Sequence, residues 1–268
     1  MYAFEYMKAT SVREAADFMK ANPDARPLAG GMTLLPTLKA RLAQPSHLID
    51  ISGLAELRGI DAQGGTLSIG AGTRHHEVET SQRVRETIPA LAYLASRIGD
   101  PQVRNQGTIG GSLANNDPAA DYPAALLGLG GTVVTTRRQI AADDFFQGIF
   151  TTALESDELI VRVVLNVPER AVYEKFAHPV SGYAMAGVLI ADTRDGVRVA
   201  VTGAGAGVFR WSEAEAALGK QMSADAISKL DVAADRMNED IHASREYRAN
   251  LVAVMTRRAV TKLIGGKS

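Results

Sequence analysis

Residues 100–121 read Asp100-Pro101-Gln102-Val103-Arg104-Asn105-Gln106-Gly107-Thr108-Ile109-Gly110-Gly111-Ser112-Leu113-Ala114-Asn115-Asn116-Asp117-Pro118-Ala119-Ala120-Asp121. Before this stretch, Leu91, Ala92, Leu94, Ala95 and Ile98 recur at helical spacing, so the run 88–98 predicts a helix that Gly99-Asp100-Pro101 ends. Residues 102–117 then read as a polar, glycine-bearing segment with no helix or strand pattern of its own. Its paired glycines stand beside small polar residues that can hydrogen-bond an oxygen-rich ligand. Asp117-Pro118 predicts a cap with proline at the first helical position, and 119–127 a short buried helix.

Working outward, a second glycine pair lies in Leu28-Ala29-Gly30-Gly31-Met32-Thr33. An apolar run there turns through bare backbone into a helix capped by Thr33 and bearing Leu34, Leu35, Leu38 and Leu42, an arrangement that presents N–H groups to an anion. Taken singly, each glycine pair more often serves a tight turn or close strand packing. Ser11-Val12-Arg13-Glu14 has capping-box spacing and opens a first helix, while 47–51 and 66–71 have strand character. The opening region therefore alternates helix and strand. Strands are expected at 131–136 and 159–167. Beyond a domain boundary near residue 170, further strands are expected at 171–176, 184–191 and 197–203, the last two joined through Asp195-Gly196. Three closing helices are expected: one begun by Ser212 with Glu215, one by Ser223, and one carrying the apolar stripe Tyr247, Leu251, Val254, Met255 and Ala259.

The chain's 268 residues suffice for two or three packed units with a substantial core. A formal charge of -1 gives no electrostatic reason to expect nucleic acid, and no run approaches the roughly 18 apolar residues of a membrane helix, so a cytoplasmic protein is expected. There is no cysteine, which removes disulfides, thiolate nucleophiles and any iron–sulfur cluster held by cysteines of this chain. His75 and His76 are adjacent and cannot share a helix face, so no metal site is expected. Gly203-Ala204-Gly205-Ala206-Gly207 lacks the third glycine of a Rossmann fingerprint. Gly266-Lys267-Ser268 resembles the end of a phosphate loop but has threonine at 261 and no helix to follow. No serine occupies a nucleophile elbow, and Asp143-Asp144 reads as a surface turn.

In order and spacing, Leu28-Ala29-Gly30-Gly31-Met32-Thr33-Leu34-Leu35-Pro36, then Leu48-Ile49-Asp50-Ile51 and Glu56-Leu57-Arg58-Gly59-Ile60, then residues 100–121, resemble the FAD-binding flavoprotein (medium) subunits of molybdenum hydroxylases, the family of carbon monoxide dehydrogenase medium chains and xanthine dehydrogenase FAD subunits. The likeness continues through Gly203-Ala204-Gly205 and Tyr247-Arg248, and so spans nearly the whole chain. It implies an α+β fold: a two-subdomain FAD-binding portion of the vanillyl-alcohol-oxidase (PCMH) type over 1–170, divided into about 1–55 and 56–170, followed by a small α+β domain over 171–268.

The same resemblance implies that Leu28, Ala29, Gly30, Gly31, Met32 and Thr33, with Thr108, Gly110, Gly111, Ser112 and Asn115, hold the FAD pyrophosphate and ribityl chain. Asp121 matches an acidic cofactor-binding position, and Ile160 an apolar contact. Lys175 matches a lysine near the flavin, and Tyr183 an aromatic shield of one flavin face. Read without the resemblance, these four residues are more simply a helix cap or brace, strand core, a solvated strand residue and a core-edge anchor. Met32 stands where the family commonly has a polar residue, so backbone donors alone are expected there.

No residue is expected to do acid–base catalysis, and no metal is expected in this chain. The implied partners are a large molybdenum-cofactor subunit and a small [2Fe-2S] subunit, in a heterohexamer of two heterotrimers, cytoplasmic or held peripherally at the inner membrane through the complex. Two other readings are a free-standing flavin oxidoreductase of the same fold and a non-enzymatic subunit with a decayed FAD site.

Overall fold

The computed structural model describes residues 1–265, so Gly266-Lys267-Ser268 lies outside the described residues. Strands Glu5–Lys8, His47–Asp50 and Arg26–Leu28 form a parallel three-stranded sheet with the His47–Asp50 strand in the middle. Helix Val12–Ala21 packs Ala15 and Met19 against it in a small cluster with Ile49, Leu54 and Leu57. Ser11 caps this helix by accepting from Glu14 N at 3.1 Å. The return half of the capping box is shifted, because the Glu14 carboxylate accepts from Thr10 N and Thr10 Oγ1, each at 2.6 Å.

A five-stranded antiparallel sheet follows, ordered Ile60–Gln63, Thr66–Gly70, Ile160–Asn166, Thr132–Thr135 and Gln139–Ala141. The Ile160–Asn166 strand sits at its centre, far along the chain from the neighbour it pairs at Thr66–Gly70. Leu67, Ile69, Val163 and Leu165 point into the largest core, closed by helices Pro89–Ser96 and Tyr122–Gly128.

The antiparallel sheet Arg170–Ala177, Ala184–Thr193, Gly196–Thr202 and Phe209–Arg210 has both faces covered, which is why the Ala184–Thr193 strand is buried over nearly its whole length. Leu189 and Ala191 join the first core, whereas Ala186, Val188 and Ile190 face the long helix Arg245–Gly265. The expected hairpin is present, with Thr193 opposite Gly196 at φ 117°.

Four local expectations are corrected. Residues 102–117 are not an open segment, because they hold helices Pro101–Gln106 and Ile109–Asn115. The helix placed at 119–127 begins only at Tyr122, since the Asp117 carboxylate closes a turn on Ala119 N at 2.8 Å. Leu42 lies beyond the helix Leu34–Lys39 and is exposed, because the chain turns through Arg41 at φ 59°. Ser223 precedes only a 3-10 turn, Asp225–Ile227, so two α-helices rather than three close the described chain.

Candidate functional site

Past the strand Arg26–Leu28 the backbone stops pairing. Leu28 O accepts from Ile51 N and Gly31 O from Leu35 N, but the N–H groups of Ala29, Gly30, Gly31, Met32 and Thr33 donate to no group among the described residues. Gly31 turns this run through left-handed backbone at φ 70°, a conformation found where successive amides bind oxyanions, and residues 29–33 all line one cleft. Gly30 lies directly against the other glycine segment. A Cβ there would overlap the Gln106 carbonyl oxygen and lie 2.9 Å from Gly107 Cα. Two distant segments therefore share one wall.

The second segment contributes differently from its expected role. Ile109 N donates to Thr73 O at 3.1 Å, Gly110 N to Ala71 O at 2.9 Å and Ser112 N to Thr108 O at 3.0 Å. Gly111 N donates to the capping Thr108 Oγ1 at 3.2 Å. These amides are committed to the fold. Among the described residues, the Thr108 and Ser112 hydroxyls and the Asn115 amide donate to nothing in the chain, and they remain for a ligand. Gly110 has a packing reason of its own, since a Cβ on it would sit 2.5 Å from Ala71 Cβ.

Both segments line a cleft of about 810 Å³, within the range of sites that enclose a cofactor. Residues 28–33, Thr108, Gly110, Gly111, Ser112, Asn115, Asp121, Ile160 and Tyr183 all line it; of the expected site residues, only Lys175 does not. Its buried ammonium stands behind Asp121, donating to Asp121 Oδ2 and to Arg97 O, each at 2.9 Å. Tyr173 OH donates to the other Asp121 oxygen. Burial pushes the Asp121 carboxyl above its ordinary range, against the opposing pull of Lys175 and of the Lys175 and Tyr173 hydrogen bonds. The half-exposed Tyr183 sits on the turn after the strand Arg170–Ala177, its phenol pushed up by burial and then by Asp117 and Asp121.

Three residues of this region were not anticipated. Tyr173 shares a strand face with Lys175, a relation that alternation alone offers. Glu158 lines the cleft from a buried position, its carboxylate accepting from Thr135 Oγ1 at 2.6 Å and from Arg138 Nε at 3.1 Å. His75, set aside as a metal ligand, also lines the cleft. Among the described residues no group of three or more metal-ligating side chains occurs, and no helix is long and apolar enough to cross a membrane.

The residues present fit a dinucleotide. A run of free amides suits a diphosphate, neutral hydroxyl and amide donors suit a sugar chain, and the cleft has room for both. The fold and cleft thus have the features of a protein that holds a dinucleotide cofactor. Residues 2–168 match the family described as the FAD binding domain in molybdopterin dehydrogenase, and residues 174–263 match the CO dehydrogenase flavoprotein C-terminal domain. The chain is 36% identical to the carbon monoxide dehydrogenase medium chain of Hydrogenophaga pseudoflava, and 35% identical to the glyceraldehyde dehydrogenase medium chain of Sulfolobus acidocaldarius, each match covering 96% of both chains. Its structure is similar to that of a reconstituted CO dehydrogenase from Oligotropha carboxidovorans, with TM-score 0.91, 32% identity and 98% of each chain covered. The chain belongs to the family of FAD-binding medium subunits of molybdenum hydroxylases, and it is an oxidoreductase subunit.

Proposed function

We propose that this chain is the electron-transfer flavoprotein of a molybdenum hydroxylase complex, taking electrons from a [2Fe-2S] subunit and passing them to an external acceptor. A large molybdenum-cofactor subunit and a small iron–sulfur subunit are its partners, two heterotrimers forming a heterohexamer in the cytoplasm. The observation that carries the reading is the row of unpaired amides at residues 29–33 inside a cleft shared with the Thr108 segment. The lack of cysteine fits a chain whose clusters reside on a partner. Met32 does not argue for a decayed site, because its N–H is one of the free donors.

FAD, when bound, supplies the one- and two-electron chemistry, and the protein supplies position and field. The amides of residues 29–33 hold the diphosphate, and the hydroxyls of Thr108 and Ser112 orient the adjoining polar chain. Asp121, fixed by Tyr173 and Lys175, offers an acceptor in a set direction. Lys175 acts on the cofactor through Asp121. Tyr183 and Ile160 cover apolar surface and exclude water. Residues 1–170, in subdomains of about 1–55 and 56–170, form the cofactor portion, and 171–268 the closing domain.

Co-expression with a molybdopterin-binding large chain and a cysteine-rich small chain tests this reading. A stable assembly is expected whose flavin is reduced by substrate only when the small chain is present. Turnover of a small substrate by the isolated chain contradicts it.

A further inference from the structure

His75 lies where the two glycine segments meet, and the function described above leaves it without a task. It is only 4% exposed yet lines the cleft. Its backbone N–H donates to Gly107 O at 3.0 Å, which pins the ring beneath the turn that leads into Thr108. Gly107 makes room for it, since a Cβ there would meet Nε2 at 2.5 Å and Cδ2 at 2.9 Å. On the other side the ring packs against Tyr122, with centroids 5.3 Å apart.

Among the described residues neither ring nitrogen has a hydrogen-bond partner, and Nδ1 is sealed from solvent. Arg104, whose charge acts on the ring, is no partner, because it is committed to Glu79 and to the carbonyls of Ile98 and Gly99. Burial, then Arg104, lowers the His75 pKa to about 4, so the imidazole is neutral and has one N–H to place. An orphaned buried N–H costs more than an orphaned buried acceptor, which favours the tautomer with the proton on Nε2 and the sealed Nδ1 bare. With Nδ1 sealed, the Nε2 edge beside Gly107 is the one that meets the cleft.

We propose that His75 is a cofactor-positioning residue, a neutral imidazole whose Nε2–H donates to an oxygen of bound FAD beside the Thr108 hydroxyl. This deepens the flavoprotein reading and rests on it. A neutral donor there orients the cofactor without adding positive charge next to the amides of residues 29–33. The role also accounts for a polar ring kept in a core that an apolar side chain would fill at less desolvation cost.

The test is FAD titration of the full-length apoprotein by flavin fluorescence, with thermal melting of the same samples. His75→Phe keeps the ring and removes both nitrogens. It is expected to weaken FAD binding about tenfold or more while leaving the apoprotein at least as heat-stable as wild type, because an unpaired polar group has gone. His75→Gln, whose amide nitrogen reaches the Nε2 position, is expected to recover affinity to within about threefold of wild type, whereas His75→Asn, which mimics Nδ1, is not. Wild-type affinity in His75→Phe, or an apoprotein it destabilises with affinity unchanged, overturns the assignment and leaves a core role. Failure of the wild-type chain itself to bind FAD sinks the flavoprotein reading instead, and is told apart because every variant then gives no signal.

Discussion

Gly30 meets Gln106 so closely that no Cβ fits between the Gly30 backbone and the Gln106 carbonyl oxygen. This contact brings the free amides of residues 29–33 and the Thr108 hydroxyl to the wall of one cleft. Gly30→Ala is expected to push the walls apart, lowering the flavin-to-protein ratio of the purified chain and costing about 1–3 kcal/mol of stability. Stoichiometric flavin in that variant, read by absorbance, contradicts the shared wall.

The second glycine pair divides its labour. Gly110→Ala drives a methyl to 2.5 Å from Ala71 Cβ and 2.8 Å from Ala71 O, whereas Gly111→Ala meets only Thr108 Oγ1, at 3.0 Å. The first is expected to lower apoprotein stability by about 1–3 kcal/mol and the second by much less. Urea melts of the two variants without FAD compare them directly, and equal losses contradict the assignment.

Lys175→Met strips the buried Asp121 carboxylate of its charge partner, leaving Tyr173 as its remaining side-chain donor among the described residues. Breaking such a pair from one side costs about 3–5 kcal/mol. The double variant Asp121→Asn, Lys175→Met is expected to recover part of that loss, since it leaves no buried charge. A double-mutant cycle on thermal melts measures the coupling, and strict additivity argues against it.

The pH dependence has a definite sign at His75. Its folded pKa of about 4 lies below the unfolded value, so the unfolded chain binds the extra proton between about pH 6.5 and 4. Apoprotein stability from this group is full above about 6.5 and falls as pH drops through that window, by at most about 3 kcal/mol. His75→Phe should flatten this part of the profile, and an unaltered slope shows that the imidazole is not the titrating group.

Much of this architecture was legible. Ser11 capping, the alternation of helix and strand in the opening region, the strands around 66–71 and 159–167, and the Asp195-Gly196 hairpin follow from local chemistry, and each is present. What was not legible depends on distant contacts. Helices Pro101–Gln106 and Ile109–Asn115 are too short to form alone and contain poor helix formers. They exist because Thr108 caps one of them and Gly110 seats on Ala71. The Asp117-Pro118 signal is a true turn signal that closes on Ala119 before the helix begins. Lys175 read as a solvated strand residue or a flavin neighbour, and nothing local shows that it and Tyr173 converge on Asp121. The same holds for the free amides, because a glycine pair that donates to its own fold and one that does not look alike until both partners are placed.

Every role assigned to the cleft depends on the backbone of residues 29–33 gripping the diphosphate. Amide NMR of the full-length chain during FAD titration tests it most directly. The Gly30 and Gly31 amides are expected to shift strongly and gain exchange protection at one equivalent, ADP to displace FAD where riboflavin does not, and the Gly110 amide, already bonded to Ala71, to keep its protection throughout. Saturation by FAD with the Gly30 and Gly31 amides unmoved contradicts it.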